Sequence, residues 1–444
     1  MTASVRRIVI ALSSLLPLAC QAPANKAEPA EQAQPSKPAE PRKKTLEPPA
    51  PESSKPKPSP EVVRKDLLAE NLPPVPSLEQ LDATVLASGE LSFPEGTDEL
   101  APRAALALRD GLLLVGQAYH QRRPGTPSQS WRWTGYIPNG GTPQSTRYES
   151  GAIRAAIATA DGGLLTGTRG LGYDARGWFA TVTADGTITK QVELDTPSAT
   201  ELFDLVPGRA DGELVVLGGY VDAQGWLLSL DAAGQLRWEK YISSYGNTQV
   251  RALARLASGE LLAVGSRAQE FGEAWAARAP GDGGEGPTGD DVTQTKIDIE
   301  GADPNRMVRA LVDLGEAGYV ALGTAKLRHL QAHDQLLAIG FDAKGELAWS
   351  RVIEGARATD VLGARAHAGL AQFIISVPLS DADELALALL SVPADASAPV
   401  RARQLAQTSG WTSAGFVEGS DELELIGHQP NATGIAWRRL SIAN

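Results

Sequence analysis

One pattern returns at intervals near fifty residues from about residue 80 to the end of this 444-residue chain, and such a period constrains the fold more than any local propensity. Each copy reads as a short apolar strand, a tight turn with glycine, a second apolar strand ending in glycine, a variable loop, and a third strand with an aromatic near its start. The first turn stands at Asp110-Gly111, Asp161-Gly162, Asp211-Gly212, Ser258-Gly259 and Ala317-Gly318, and in weaker form at Ala368-Gly369 and Gly419-Ser420-Asp421. Aspartate and glycine suit this place because both adopt the positive φ that two-residue hairpin turns require. Runs such as Leu112 to Val115, Leu214 to Leu217 and Leu261 to Val264 are cut off by Gly116, Gly218 and Gly265. They are too short for helices and read as strands of a packed sheet. Third strands begin near Trp131, Trp178, Trp226, Trp275, Gln335, Leu385 and Trp437.

The ends of the repeat predict closure. The last copy stops after its third strand, Gly434 to Ile442, while Val85 to Phe93 matches the turn and fourth strand of copy three, Ser229 to Trp238. The N-terminal strand is therefore expected to complete the last unit, which removes two open strand edges at once. With its Asp-Gly turns and Trp-to-Asp-x-x-Gly strands, as in Trp226 to Gly234, residues 80–444 resemble the propeller family. The expected fold is all-β, a seven-bladed β-propeller closed by pairing of the N-terminal strand with the C-terminal strands. Propellers host unrelated activities, so the resemblance implies a fold and no function.

Arg6 and Arg7 precede an apolar run from Ile8 to Leu18 that ends at Ala19-Cys20. The run is about half the roughly 20 residues that a membrane-crossing helix needs, and reads as a signal peptide over residues 1–19. Cys20 is the single cysteine, so it forms no intramolecular disulfide. Leu16-Pro17-Leu18-Ala19-Cys20 resembles a bacterial lipoprotein signal, departing from the usual pattern at Pro17. That resemblance implies lipidation of Cys20 and attachment to a membrane, and Gln21 after the cysteine implies the outer membrane. Ordinary cleavage after a nearby small residue is the alternative. Residues 20–65, rich in Pro, Ala, Glu and Lys, lack the apolar residues to offset ordering entropy and are expected to form a disordered tether.

The candidate site residues come from position within the repeat. Arg103, Arg154, Arg251 and Arg309 each lie eight or nine residues before the glycine of the first turn and precede an alanine, with Asp204 and Val361 taken as the equivalents in copies three and six. The first strand of a propeller blade is innermost, so these arginines are expected on one rim of the central channel; the alternative is a structural pairing within each blade. Trp131 and Trp133, two apart and on one side of a strand, are the best pair for an exposed aromatic platform, against the alternative of packing between blades.

Other chemistry is thin. His329 and His333 have helical spacing but no glutamate between them, and no serine sits in a Gly-x-Ser-x-Gly elbow. No cofactor is indicated. The insertion Gly281 to Asp291, with Asp282, Glu285, Asp290 and Asp291, offers oxygen ligands suited to Ca2+, yet its spacing is not that of the twelve-residue calcium loop and a solvated loop is the better reading. A net charge of -12 disfavours nucleic acid. The leading expectation is a non-catalytic binding or scaffold lipoprotein of the cell envelope that meets a protein or polysaccharide through a propeller face. The alternative is a propeller enzyme acting on a glycan or small metabolite at the channel mouth.

Overall fold

The computed structural model describes residues 61–65, 67–71, 81, 83–97, 99–120, 129–196, 198–209, 212–242, 247–268, 273–285, 287, 289–299, 302–327, 334–354, 360–378, 385–406, 411–418, 420, 422–428 and 434–442. Cys20, the tether up to residue 60, the pair His329 and His333, and residues 121–128 before Trp131 lie outside them.

Three strands lead in: β1 (Glu61–Lys65), β2 (Leu67–Asn71) and β3 (Ala83–Ser92). The repeat then folds into antiparallel four-strand units. The first is β4 (Glu99–Leu108), β5 (Gly111–Tyr119), β6 (Ser130–Pro138) and the start of β7 (Gln144–Thr159). The rest of β7 opens the second unit, with β8 (Gly162–Arg169), β9 (Arg176–Thr183) and β10 (Ile188–Glu193). Where β7 passes from one unit to the next, Gly151 has φ 134°, and a Cβ there would lie 2.0 Å from the Thr168 carbonyl oxygen. Only glycine fits that crossing.

The third unit is β11 (Thr200–Pro207), β12 (Glu213–Val221), β13 (Gln224–Asp231) and β14 (Leu236–Ile242). The fourth is β15 (Asn247–Arg255), β16 (Leu261–Ala268), β17 (Glu273–Ala279) and β18 (Thr293–Ile299), and the fifth is β19 (Ala302–Asp313), β20 (Tyr319–Leu327), β21 (Asp334–Phe341) and β22 (Leu347–Glu354). Then come β23 (Asp360–His367), β24 (Leu370–Pro378), β25 (Leu385–Pro393) and β26 (Arg401–Ala406), and last β27 (Trp411–Glu418), β28 (Glu422–His428) and β29 (Gly434–Ile442).

The last unit takes its fourth strand from the N-terminal side. β3 runs antiparallel to β29 from Gly434 opposite Ser92 to Ile442 opposite Ala83. The expected pairing is present and longer than the sequence indicates, because Val85 to Gly89 continues the strand where a turn was expected. Among the described residues no strand pairs with β3 other than β29, so nothing there requires the backbone to reverse. Gly89 lies against the Trp437 indole, where an added Cβ would come within 3.1 Å of the ring.

Inner strands β4, β7, β11, β15, β19, β23 and β27 each lie beside the next, and β27 returns to β4, with Val417 and Glu418 paired in parallel with Ala105 and Leu106. The apolar cores sit between consecutive units. Val216, Leu227, Val250, Leu261 and Trp275 join the third unit to the fourth, and Leu91, Leu114, Trp133, Val417 and Trp437 join the last to the first. The result is an all-β fold with propeller-type closure.

The N-terminal strands depart from the sequence reading. Residues 61–65, assigned to the tether, pair in parallel as β1 with β18, and β2 pairs in parallel with β22, so the lead-in covers the outer edges of two adjacent units. Edge pairing uses backbone groups and needs no apolar periodicity, which is why composition did not reveal it.

Candidate functional site

Every inner strand among the described residues carries a β-bulge. The register shifts fall between Pro102 and Ala104, Ile153 and Ala155, Leu202 and Asp204, Val250 and Ala252, Val308 and Ala310, Val361 and Gly363, and Trp411 and Ser413. The extra residue at each is Arg103, Arg154, Phe203, Arg251, Arg309, Leu362 and Thr412. A bulge leaves one residue out of the ladder and re-aims its side chain. Here the register corrects the alignment drawn from sequence: the equivalents of the arginines in the third and sixth units are Phe203 and Leu362, one place from Asp204 and Val361. Counting back from the turn glycine missed this because the spacing to the turn differs between units.

The four arginines line one cavity of about 390 Å³, with Phe203, Asp204, Phe416 and Glu418 among the other lining residues. All seven inner strands contribute to its wall. Arg251 lies 4.0 Å from the centre of the Phe203 ring and Arg154 lies 6.0 Å from it, while Tyr220 stacks on that ring at 6.0 Å. These contacts hold the planar guanidinium groups through attraction to the ring face. Arg154 donates a long 3.5 Å bond to Glu201, and its Nε is buried with no hydrogen-bond partner. Arg251 donates to Gln249. Burial, then the neighbouring Arg309 charge, lower Arg251 to about 10, so it remains a cation at neutral pH.

The acids of the cavity stand apart from these cations. Asp204 accepts a 2.9 Å bond from the Leu205 N–H and a 2.7 Å bond from the Leu253 N–H, so one carboxyl group ties β11 to β15. Burial pushes it up to about 7 against the pull of those two N–H groups, and Glu418 adds to the rise. Partial desolvation also raises the Glu418 carboxyl above its usual value, although the residue keeps an exposed surface. Among the described residues neither acid has an ion-pair partner.

Trp131 and Trp133 do not form an exposed platform together. Trp133 is fully buried in the core between the last and first units and donates from Nε1 to Ser145 Oγ at 2.8 Å, whereas Trp131 lies under the Arg147 guanidinium at 4.5 Å. Strand alternation places the two on one side, but Trp133 there packs into the core between units. In the acidic insertion, Asp282 accepts from the Gly284 N–H, and Asp291 accepts from the Glu285 N–H and from Lys240. Among the described residues no three His, Cys, Asp or Glu side chains converge as metal ligands.

No protein-family model matches the chain, and no curated protein matches it. Solved structures resemble it distantly. The acylaminoacyl peptidase of Pyrococcus horikoshii is 10% identical over 78% of this chain and 53% of its own, with a TM-score of 0.46. For the β-propeller domain of the Trilobed protease from Pyrococcus furiosus the values are 9%, 78%, 97% and 0.43, and for Drosophila Semaphorin 1a they are 8%, 79%, 87% and 0.44. The chain spans about half the length of the peptidase. Fold and cavity together define the class: a propeller-like repeat protein with a cationic pocket walled by its inner strands.

Proposed function

We propose that this chain is a seven-bladed propeller lipoprotein of the cell envelope whose axial cavity binds a ligand bearing an anionic group. The observation that carries the reading is the placement of arginine at the bulge of four inner strands, all lining one cavity. Guanidinium groups match carboxylate and phosphate geometry and act most strongly where water is scarce. The volume falls within the roughly 300–1,000 Å³ range of small-molecule sites. It favours a small anion, or the anionic end of a glycan or peptide, over docking on a flat face. A second reading, catalysis on such a ligand, is motivated by Asp204, whose carboxyl near 7 suits acid–base work. Turnover of the bound ligand that Asp204→Asn abolishes would separate it from simple capture.

The oxyanion tungstate is a suitable probe. Arg103→Ala combined with Arg154→Ala is expected to weaken its binding about a hundredfold, since hydrogen bonds to charged groups contribute about 1.5–3 kcal/mol each. The salt dependence of binding should fall in parallel. A calorimetric titration checks this, and unchanged affinity in a folded double variant would make the arginines blade fasteners. Attachment through Cys20 predicts a mature N-terminus carrying acyl chains in a bacterial host; mass analysis that finds an unmodified chain starting at another residue removes the anchor from the proposal.

A further inference from the structure

The cavity carries charges of both signs. Arg103, Arg154, Arg251 and Arg309 are the bulge residues of their inner strands, Asp204 lies just past the bulge of β11, and Glu418 is the last residue of β27, at its turn end. In a site built only for anions, carboxyl groups lining the same wall would oppose the ligand unless an arginine neutralised them. Here none does among the described residues: both oxygens of Asp204 are met by backbone N–H groups, and Glu418 has no ion pair.

Asp204 also senses Glu418. Glu418 is the one charged side chain that raises Asp204, and no arginine of the cavity offsets it. The charged groups facing Asp204 across the cavity are Arg103 on β4, Arg154 on β7, Arg251 on β15, Arg309 on β19 and Glu418 on β27; β23 contributes Val361, Leu362, Gly363 and Ala364. A cation placed between Asp204 and Glu418 would stabilise both ionised carboxyl groups, while the Nε of Arg154 is buried with no hydrogen-bond partner.

Resting on the anion-binding reading above, we infer that the ligand is a small dipolar molecule, with a carboxylate or phosphate held by the arginines and an ammonium group held by Asp204 and Glu418. Phe203, between Arg154 and Arg251, and Phe416 give apolar surface for a short connecting chain. The class includes amino acids, short peptides and amine-bearing phosphate esters.

Because the spacing of the two ends is open, the probes are a series: 4-aminobutyrate, 5-aminovalerate and 6-aminohexanoate, each against the plain acid of the same chain length, titrated calorimetrically into the full mature chain at neutral pH. At least one amino acid should bind about tenfold more tightly than its plain partner, the equivalent of one added ion contact. Glu418→Gln should erase most of that preference without weakening the plain acid, and it keeps the test available if Asp204→Asn fails to fold. Arg103→Ala with Arg154→Ala should weaken both members of each pair. Equal binding of amino and plain acids, with both lost in the arginine variant, would overturn the dipolar ligand and leave the anion reading standing. Absence of binding across the whole series would overturn the dipolar ligand, and tungstate indifferent to the arginine variant would also remove the anion reading.

Discussion

Deleting residues 83–92 is expected to lower the melting temperature by about 10 °C or more and to make the protein associate. The deletion strips β3 from β29, so the ladder from Gly434 to Ile442 loses every partner on that side. It also removes Leu91, which is fully buried against Trp133 and Trp437, and burial of one such side chain contributes about 1.5–3 kcal/mol. Together with the uncovered Trp437 indole, the loss is a large fraction of the roughly 5–15 kcal/mol by which a domain is stable. An apolar strand edge then faces solvent in the last unit. Thermal melting and light scattering of the deletion protein check both effects, and a monomer with unchanged melting would mean that β3 does not close the ring.

Asp291→Ala is the substitution expected to destabilise most among single changes outside the cores. Lys240 on β14 is fully buried, and its ammonium lies 2.7 Å from the Asp291 carboxylate in the insertion of the fourth unit, a side chain that keeps 27% of its surface exposed. Removing Asp291 takes one counter-charge away from a fully buried ammonium, and breaking a buried pair in this way costs up to about 3 kcal/mol. Lys240→Met removes the charge with the pair and should cost much less, and Lys240→Met added to Asp291→Ala should recover most of the loss. For Asp291, burial acts to raise the carboxyl but is outweighed by the Lys240 hydrogen bond and the Glu285 N–H, so it sits below its usual value. Its contribution to stability is thus fully present above the ordinary aspartate range and is lost as pH falls through the lowered value. Urea denaturation of the three variants at neutral pH and near pH 3 checks these signs. An Asp291→Ala protein as stable as the parent at neutral pH would show that Lys240 does not depend on this carboxylate. The acidic insertion, read from sequence as a solvated loop or a calcium site, thus supplies a counter-ion to a buried lysine.

What the sequence made legible followed from local chemistry. Asp110-Gly111 and Asp161-Gly162 close hairpins between β4 and β5 and between β7 and β8, and Trp178, Trp226 and Trp275 begin third strands packed between units. Strand arithmetic placed β3 on β29 because edges must be paired, and that requirement acts on any closed sheet. The arginines could be listed because they recur at a near-constant distance from a turn. Phe203 escaped that count since its bulge lies nine residues before Gly212 while Arg154 lies eight before Gly162, and only hydrogen-bond register reveals which residue is extra. Asp204, Glu418 and Phe416 lack any motif; they meet the arginines only when inner strands from distant parts of the chain converge. The parallel pairing of β1 and β2 was invisible for a related reason, since a short, proline-flanked stretch can add to an edge through backbone groups alone.

Locating tungstate by anomalous scattering in crystals of the mature chain tests the closed ring and its cationic cavity together. The anion should lie within the inner-strand cavity, accepting hydrogen bonds from the guanidinium groups of at least two of Arg103, Arg154, Arg251 and Arg309, in a chain whose Ala83–Ser92 strand pairs with Gly434–Ile442. Tungstate bound only at outer surfaces, with the four arginines turned away from the axis or the N-terminal strand apart from the C-terminal one, would contradict it.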